Sequence, residues 1–345
     1  MKRKIALLLA MVMILGMLAG CKTNDDTPET TTEPAATQSP EEQEVLKFLC
    51  IGNSHGLDAT AALYEVFRAE APEKKVVLGA MYYQGCRLDQ HASWIREEKP
   101  NYMYYKIDEE LYKKTSGNWK VMLGKEVNLE IESGATMTYV LQDEQWDVVS
   151  LQQMNTRTGL ADGYPAEDIK TIVDHINNTL EVKPEIGWQM IWTNPDDESL
   201  VSTAGWSSWR NDYVADYQLN QDVMYKAIVE QVKKNILTND AFSFVVPAAT
   251  AIHYAGEVCG VPDTELFRDY THLSMTARVI AAYMWYAQLM GLDHIDEIKL
   301  DVYPKILVPT KFKYLGDVEL TAEIKDYILK SVNHALANPY EVPAQ

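Results

Sequence analysis

The chain has 345 residues, 47% hydrophobic and 23% charged, with 17 glycines and 14 prolines. That is enough to bury one sizeable core, and it excludes a collagen-like chain, a wholly disordered one, and a small module held by disulfide or metal staples. The formal charge of −19, from 31 basic and 50 acidic residues with no basic stripe, excludes unassisted binding to nucleic acid.

Lys2, Arg3 and Lys4 precede an apolar run from Ile5 to Leu18, which fits a secretory signal and is short for a membrane span. Residues 1–20 therefore read as a signal peptide. The run closes on Leu18, Ala19, Gly20 and Cys21, which resembles the lipobox of bacterial lipoproteins, where small residues admit the peptidase and the thiol receives a diacylglycerol. The resemblance implies lipidation of Cys21 and an exported protein on the outer face of the cytoplasmic membrane, or on the outer membrane or cell surface. Cleavage removes three basic and no acidic residues from the 31 and 50, leaving a net charge of −22. Residues 21–44 are dominated by Thr, Pro and Glu with no large apolar side chain, a composition that cannot offset the entropy of folding. They read as a disordered tether to a body at 45–345, expected to be one domain.

Cys50, Cys86 and Cys259 remain, an odd number that implies no disulfide framework and at most one bridge, Cys86 to Cys259 being the candidate. No cysteine or histidine spacing points to a metal. Neither a metal nor a cofactor is expected.

From Val45 the apolar run VLKFLCIGNS reads as a strand, and a helix is expected over 57–70. A second strand follows at 76–85, then three more at 147–153, 186–192 and 242–250, with amphipathic helices at 166–180 and 223–237 and a helix at 274–290. Nearly all-apolar strands alternating with helices indicate a parallel sheet covered on both faces. The expected fold is α/β, a three-layer α/β/α sandwich with a central five-stranded parallel sheet. A Tyr-rich insertion at about 101–145 reads as a hairpin followed by a helix, and an amphipathic helix at about 321–337 closes the domain.

Ligands of such sheets gather beyond the carboxyl ends of the strands. The first strand ends in Gly52-Asn53-Ser54-His55-Gly56, a turn that can present Ser54 as a nucleophile or use it as an ordinary helix cap. Asp269 stands three residues before His272, a spacing that lets a carboxylate orient an imidazole base. Singly they suit a helix cap and a surface histidine equally well; the order Ser, Asp, His along an alternating sheet is more telling.

On these residues the chain resembles the SGNH (GDSL-type) hydrolases, and within them a bacterial subgroup of SGNH-like lipoproteins of unassigned activity, over roughly residues 46–295. The family's Gly-Asp-Ser is here Gly52-Asn53-Ser54, with Asn in place of Asp. Gly85 stands where the family has a glycine whose N–H helps bind the oxyanion. The third block, normally Gly-x-Asn-Asp, is absent. The strand there ends in Gln152-Gln153-Met154-Asn155, which makes Gln153 the expected donor with Gln152 and Asn155 as alternates. Asp-x-x-His is matched letter for letter by Asp269 and His272. The resemblance implies a flavodoxin-like sheet and a serine carboxylic-ester hydrolase with Ser54, Asp269 and His272 as catalytic residues and an oxyanion hole of Ser54, Gly85 and Gln153.

Trp192, Trp206 and Trp209, after the fourth strand, offer aromatic faces that suit a sugar ring or ordinary packing equally. The expected function is removal of acyl groups, acetyl foremost, from carbohydrate or another small ester. Because the third block is replaced, an inactive SGNH-fold lipoprotein that binds glycan or another surface ligand stays open, as does a surface protein whose Tyr102, Tyr104, Tyr105 and Tyr112 contact a partner. The residues fix no oligomeric state.

Overall fold

A computed structural model describes residues 44–127, 130–132, 134–201, 207–303 and 318–343. The signal peptide, Cys21 and the tether up to residue 43 lie outside the described residues.

Among the described residues seven strands form one sheet: β1 (Leu46–Gly52), β2 (Val76–Tyr82), β3 (Met103–Ile107), β4 (Lys120–Leu123), β5 (Val148–Leu151), β6 (Glu185–Gln189) and β7 (Phe244–Val246). Their order is β4-β3-β2-β1-β5-β6-β7. The five strands read from the sequence run parallel. Phe48, Leu49, Cys50 and Ile51 of β1 are all at most 2% exposed, as expected of a central strand covered on both faces.

The expected count of five is corrected by β3 and β4, which extend the sheet with antiparallel pairing beyond β2. Both come from the Tyr-rich insertion. Every residue of β3 is buried, with Tyr102, Tyr104 and Tyr105 at most 1% exposed. These tyrosines are therefore core, not a surface for a partner; only Tyr112 is half-buried, stacked on Tyr64 at 5.2 Å. The rest of the insertion is a helix at Glu109–Thr115, a two-stranded hairpin of Lys125–Val127 with Glu130–Glu132, and a helix at Met137–Gln142.

The principal helices are α1 (Ser54–Thr60), α2 (Leu63–Glu70), α3 (Leu88–Arg96), α4 (Ala166–Thr179), α5 (Gln221–Asn235), α6 (Ala248–Glu257), α7 (Met275–Leu289) and α8 (Ala322–Ala337). α3 packs on α4, while α1, α2, α6 and α8 gather around α7. α7 is buried nearly all round, the mark of a helix at the centre of a core. Its Trp285 lies 4.7 Å from the Phe48 ring and donates to Gln189 Oε1 of β6 at 3.0 Å.

The winding of the parallel strands reverses between β1 and β5. In open α/β sheets the crevice at such a reversal, beyond the carboxyl ends of the two strands, is where ligands bind. Ser54 follows β1 there, and Gln152 to Asn155 follow β5.

Candidate active site

The turn from β1 into α1 is built around Asn53. Its side-chain Oδ1 accepts from the His55 backbone N–H at 3.0 Å and from Gln152 Nε2 at 2.7 Å, while its Nδ2 donates to the Cys86 carbonyl at 2.9 Å. Asn53 is thus the helix cap, which leaves the Ser54 hydroxyl for another partner. Only an amide can accept and donate in this way; a carboxylate lacks the donor needed by Cys86. That accounts for Asn where the resemblance has Asp. Gly52 meets the Gln152 side chain so closely that a Cβ would lie 2.7 Å from it.

Ser54 Oγ lies 2.8 Å from His272 Nε2. The other ring nitrogen, Nδ1, lies 2.9 Å from Asp269 Oδ1 and 3.0 Å from Oδ2. An ionised carboxylate only accepts, so Nδ1 carries the proton and the bare Nε2 accepts from the serine hydroxyl. Asp269 Oδ1 also accepts the backbone N–H groups of Thr271 and His272 at 3.0 and 2.9 Å. Burial pushes the Asp269 carboxyl up, but the hydrogen bond and electrostatic attraction of His272, the Thr271 N–H and nearby Arg268 together hold it well below the usual carboxylate range.

Trp192, Thr271 and His55, none of which was given this part in the sequence reading, hold the loop. Trp192 is fully buried and its indole N–H donates to the Thr271 carbonyl at 2.9 Å. This corrects the sugar-binding expectation for Trp192, whose face is not open to a ligand. The Thr271 hydroxyl bonds His55 Nε2 at 2.8 Å, and His55 Nδ1 faces Asn53 Oδ1 at 3.1 Å. The His55 ring stacks on that of His272 at 5.3 Å. Burial, with the neighbouring His272, lowers the His55 pKa to about 3, so this ring stays neutral beside the dyad. Adjacency to Ser54 was its only signal in the sequence. Trp206 and the side chain of Trp209 lie outside the described residues.

Gly85 has φ of +62°, the left-handed region that favours glycine, and an added Cβ would stand 3.8 Å from Met154 Sδ. The amides after β5 are engaged within the protein. Gln153 Nε2 donates to the Gly163 carbonyl and its Oε1 accepts from the Met154 N–H at 2.7 Å, so this side chain folds the 153–163 loop instead of reaching for Ser54. Asn155 Nδ2 donates to the Trp192 carbonyl at 2.8 Å, and Gln152 bonds Asn53 as above. Along the 153–163 loop, a cavity of about 500 Å³ is lined by residues including Arg87, Asp89, Gln153, Met154, Arg157 and Asp162. The disulfide candidate is also corrected: Cys86 is buried with Sγ 3.6 Å from His91 Nδ1, whereas Cys259 lies beside Ser331, and both are free thiols.

Among solved structures, a DUF4886 family protein from Bacteroides uniformis shares the fold, with a TM-score of 0.64 and 22% identity over 87% of this chain and 98% of that one. TesA (TM-score 0.39, 9% identity, 71% of this chain and 98% of that one) and a gut microbial diltiazem-metabolizing enzyme (0.39, 11%, 74% and 49%) are more distant. No curated protein matches. The model of one family, described as a domain of unknown function (DUF4886), matches residues 47–302, which include all but the first residue of β1, the Ser54 turn, the Asp269–His272 loop and α7, and the chain belongs to that family.

Proposed function

We propose that the chain is an exported, lipid-anchored serine esterase of SGNH type that removes acyl groups, acetyl foremost, from carbohydrate or another small ester. The observation that carries this reading is the 2.8 Å contact of Ser54 Oγ with His272 Nε2, continued by Asp269 on Nδ1. In this reading Ser54 Oγ bonds to the acyl carbonyl carbon while His272 takes its proton, and Asp269 stabilises the imidazolium. The backbone N–H groups of Ser54 and Gly85 face the oxyanion. Gln153 Nε2 has one N–H committed to the Gly163 carbonyl, which leaves at most its second N–H for the oxyanion. Collapse breaks the ester C–O bond, and the alcohol leaves with the proton from His272. A water, deprotonated by His272, then releases the acid and restores Ser54. The cavity lined by Arg87, Asp89, Gln153 and Arg157 is charged and polar, which favours a hydroxylated leaving group, and Cys21 would hold the enzyme at a membrane.

The engagement of Gln153 favours a second reading, a glycan-binding lipoprotein with this fold and no turnover. Hydrolysis of p-nitrophenyl acetate and of acetylated xylan, beside Ser54→Ala and His272→Ala, separates the two. Activity in the parent and none in either folded variant supports the esterase. A parent inactive on both substrates leaves the binding protein.

A further inference from the structure

We propose that Asp58 is a positioning residue which, with Arg268 and Arg278, forms a buried ionic clamp fixing the Asp269–His272 loop over Ser54. The proposal rests on the esterase reading. Asp58 lies one helical turn after Ser54 on α1, so the two share a face. It is 0% exposed. Its Oδ1 accepts from Arg278 Nη2 and Nε of α7 at 2.6 and 3.0 Å and from Arg268 Nη1 at 3.0 Å. Its Oδ2 accepts from Arg268 Nη1 and from the Leu273 backbone N–H, both at 3.0 Å.

Those contacts fall at the base of the loop that carries His272. Phe267 and Leu273 form an antiparallel bridge, the Arg268 N–H donates to the His272 carbonyl at 3.0 Å, and Arg268 Nη1 donates to the Leu273 carbonyl at 2.6 Å. The loop is thereby pinched shut and bolted to the helix that begins with Ser54. The serine and its base come from segments more than 200 positions apart, and Asp58 is the side chain that touches both supports.

Stability alone is a poor reason for this arrangement. Desolvating one anion and two cations costs about as much as their attraction returns, and apolar replacements of such groups are often neutral or stabilising. A gain in alignment explains it better, since misplacing a reacting group by about 1 Å can cost roughly a hundredfold in rate.

The test is full kinetics of the whole protein carrying Asp58→Asn, which keeps the shape and loses the charge. Arg278→Lys, which keeps the charge and loses the two-pronged contact, is the second variant should the first not fold. Expected is a fall in kcat of about a hundredfold for the first and about tenfold for the second, KM unchanged, with loss or broadening of the low-field proton resonance of the Asp269–His272 hydrogen bond. A folded Asp58→Asn or Arg278→Lys with kcat within about twofold of the parent overturns the clamp, as does a change confined to KM. Ser54→Ala measured in parallel keeps the two proposals apart. If it abolishes turnover, the esterase reading holds whatever the clamp variants do; if it does not, that reading fails, and an unchanged low-field resonance in Asp58→Asn then overturns the clamp independently.

Discussion

Asp269 serves the ring and the backbone of the same loop at once, and this dual use decides what its replacement does. In Asp269→Asn the Oδ1 can still accept the Thr271 and His272 N–H groups, so the loop is expected to keep its shape. The amide N–H₂, however, can donate to Nδ1, which pushes the imidazole proton to Nε2 and leaves no acceptor for the Ser54 hydroxyl. Expected is a loss of about three to four orders of magnitude in kcat with near-ultraviolet circular dichroism unchanged; a loss below tenfold would remove Asp269 from the mechanism. Asn53 gives a counterpart. Asn53→Asp restores the residue of the resembling family, yet here it deletes the donor to the buried Cys86 carbonyl and adds a buried charge. A lowering of stability by about 1–3 kcal/mol is expected, read as a lower urea midpoint, whereas an unchanged midpoint would mean that the turn does not depend on that bond.

The loop at 267–273 is an element without regular structure, and its order comes from what grips it. Trp192 is one grip, through the Thr271 carbonyl. Trp192→Phe retains most of the ring and leaves that carbonyl unpaired, so about 1–3 kcal/mol of stability is expected to go, with kcat reduced and KM unchanged; a raised KM at constant kcat would return Trp192 to the substrate. The sequence marked the ends of this arrangement and not its middle. The parallel strands were legible because each is a short, nearly all-apolar run, and Asp-x-x-His was legible because its members are near neighbours. β3 and β4 were not, since a tyrosine run suits a surface and a buried edge alike, and only the neighbouring strand decides. The helix expected over 57–70 splits at Ala61 and Ala62, where no Gly or Pro announces a break. Asn53 to Cys86, Asp58 to Arg268 and Trp192 to Thr271 are pairings between distant segments, and no local spacing encodes them.

At the scale of the whole molecule, the buried histidines set how stability responds to acid. His55 and His91 are each 1% exposed. Burial, with the electrostatic effect of His272, lowers the His55 pKa to about 3, and burial lowers that of His91 to about 4. Unfolded, both would titrate near 6.5. The unfolded chain therefore binds more protons as pH falls below that value, and stability present above it is lost on the way down. The cost is about 2 kcal/mol per histidine between pH 7 and pH 5. His175 and His253 are also lowered by burial and act in the same direction. Glu65 and Asp196, raised by burial, act oppositely: they take up protons inside the fold above their unfolded values near 4 and so offset part of the histidine cost as pH falls. Asp58 and Asp269 are held low in the fold, by Arg268 and Arg278 and by His272 against the opposing effect of burial, and their contribution disappears only below the ordinary carboxylate range. Urea midpoints are thus expected to drop steeply between pH 7 and pH 5, and His91→Leu, which leaves the Ser54 site untouched, to flatten part of that drop. Equal midpoints at the two pH values would mean that these rings take up protons inside the fold, and the neutral His55 stacked on His272 would have to be abandoned with them.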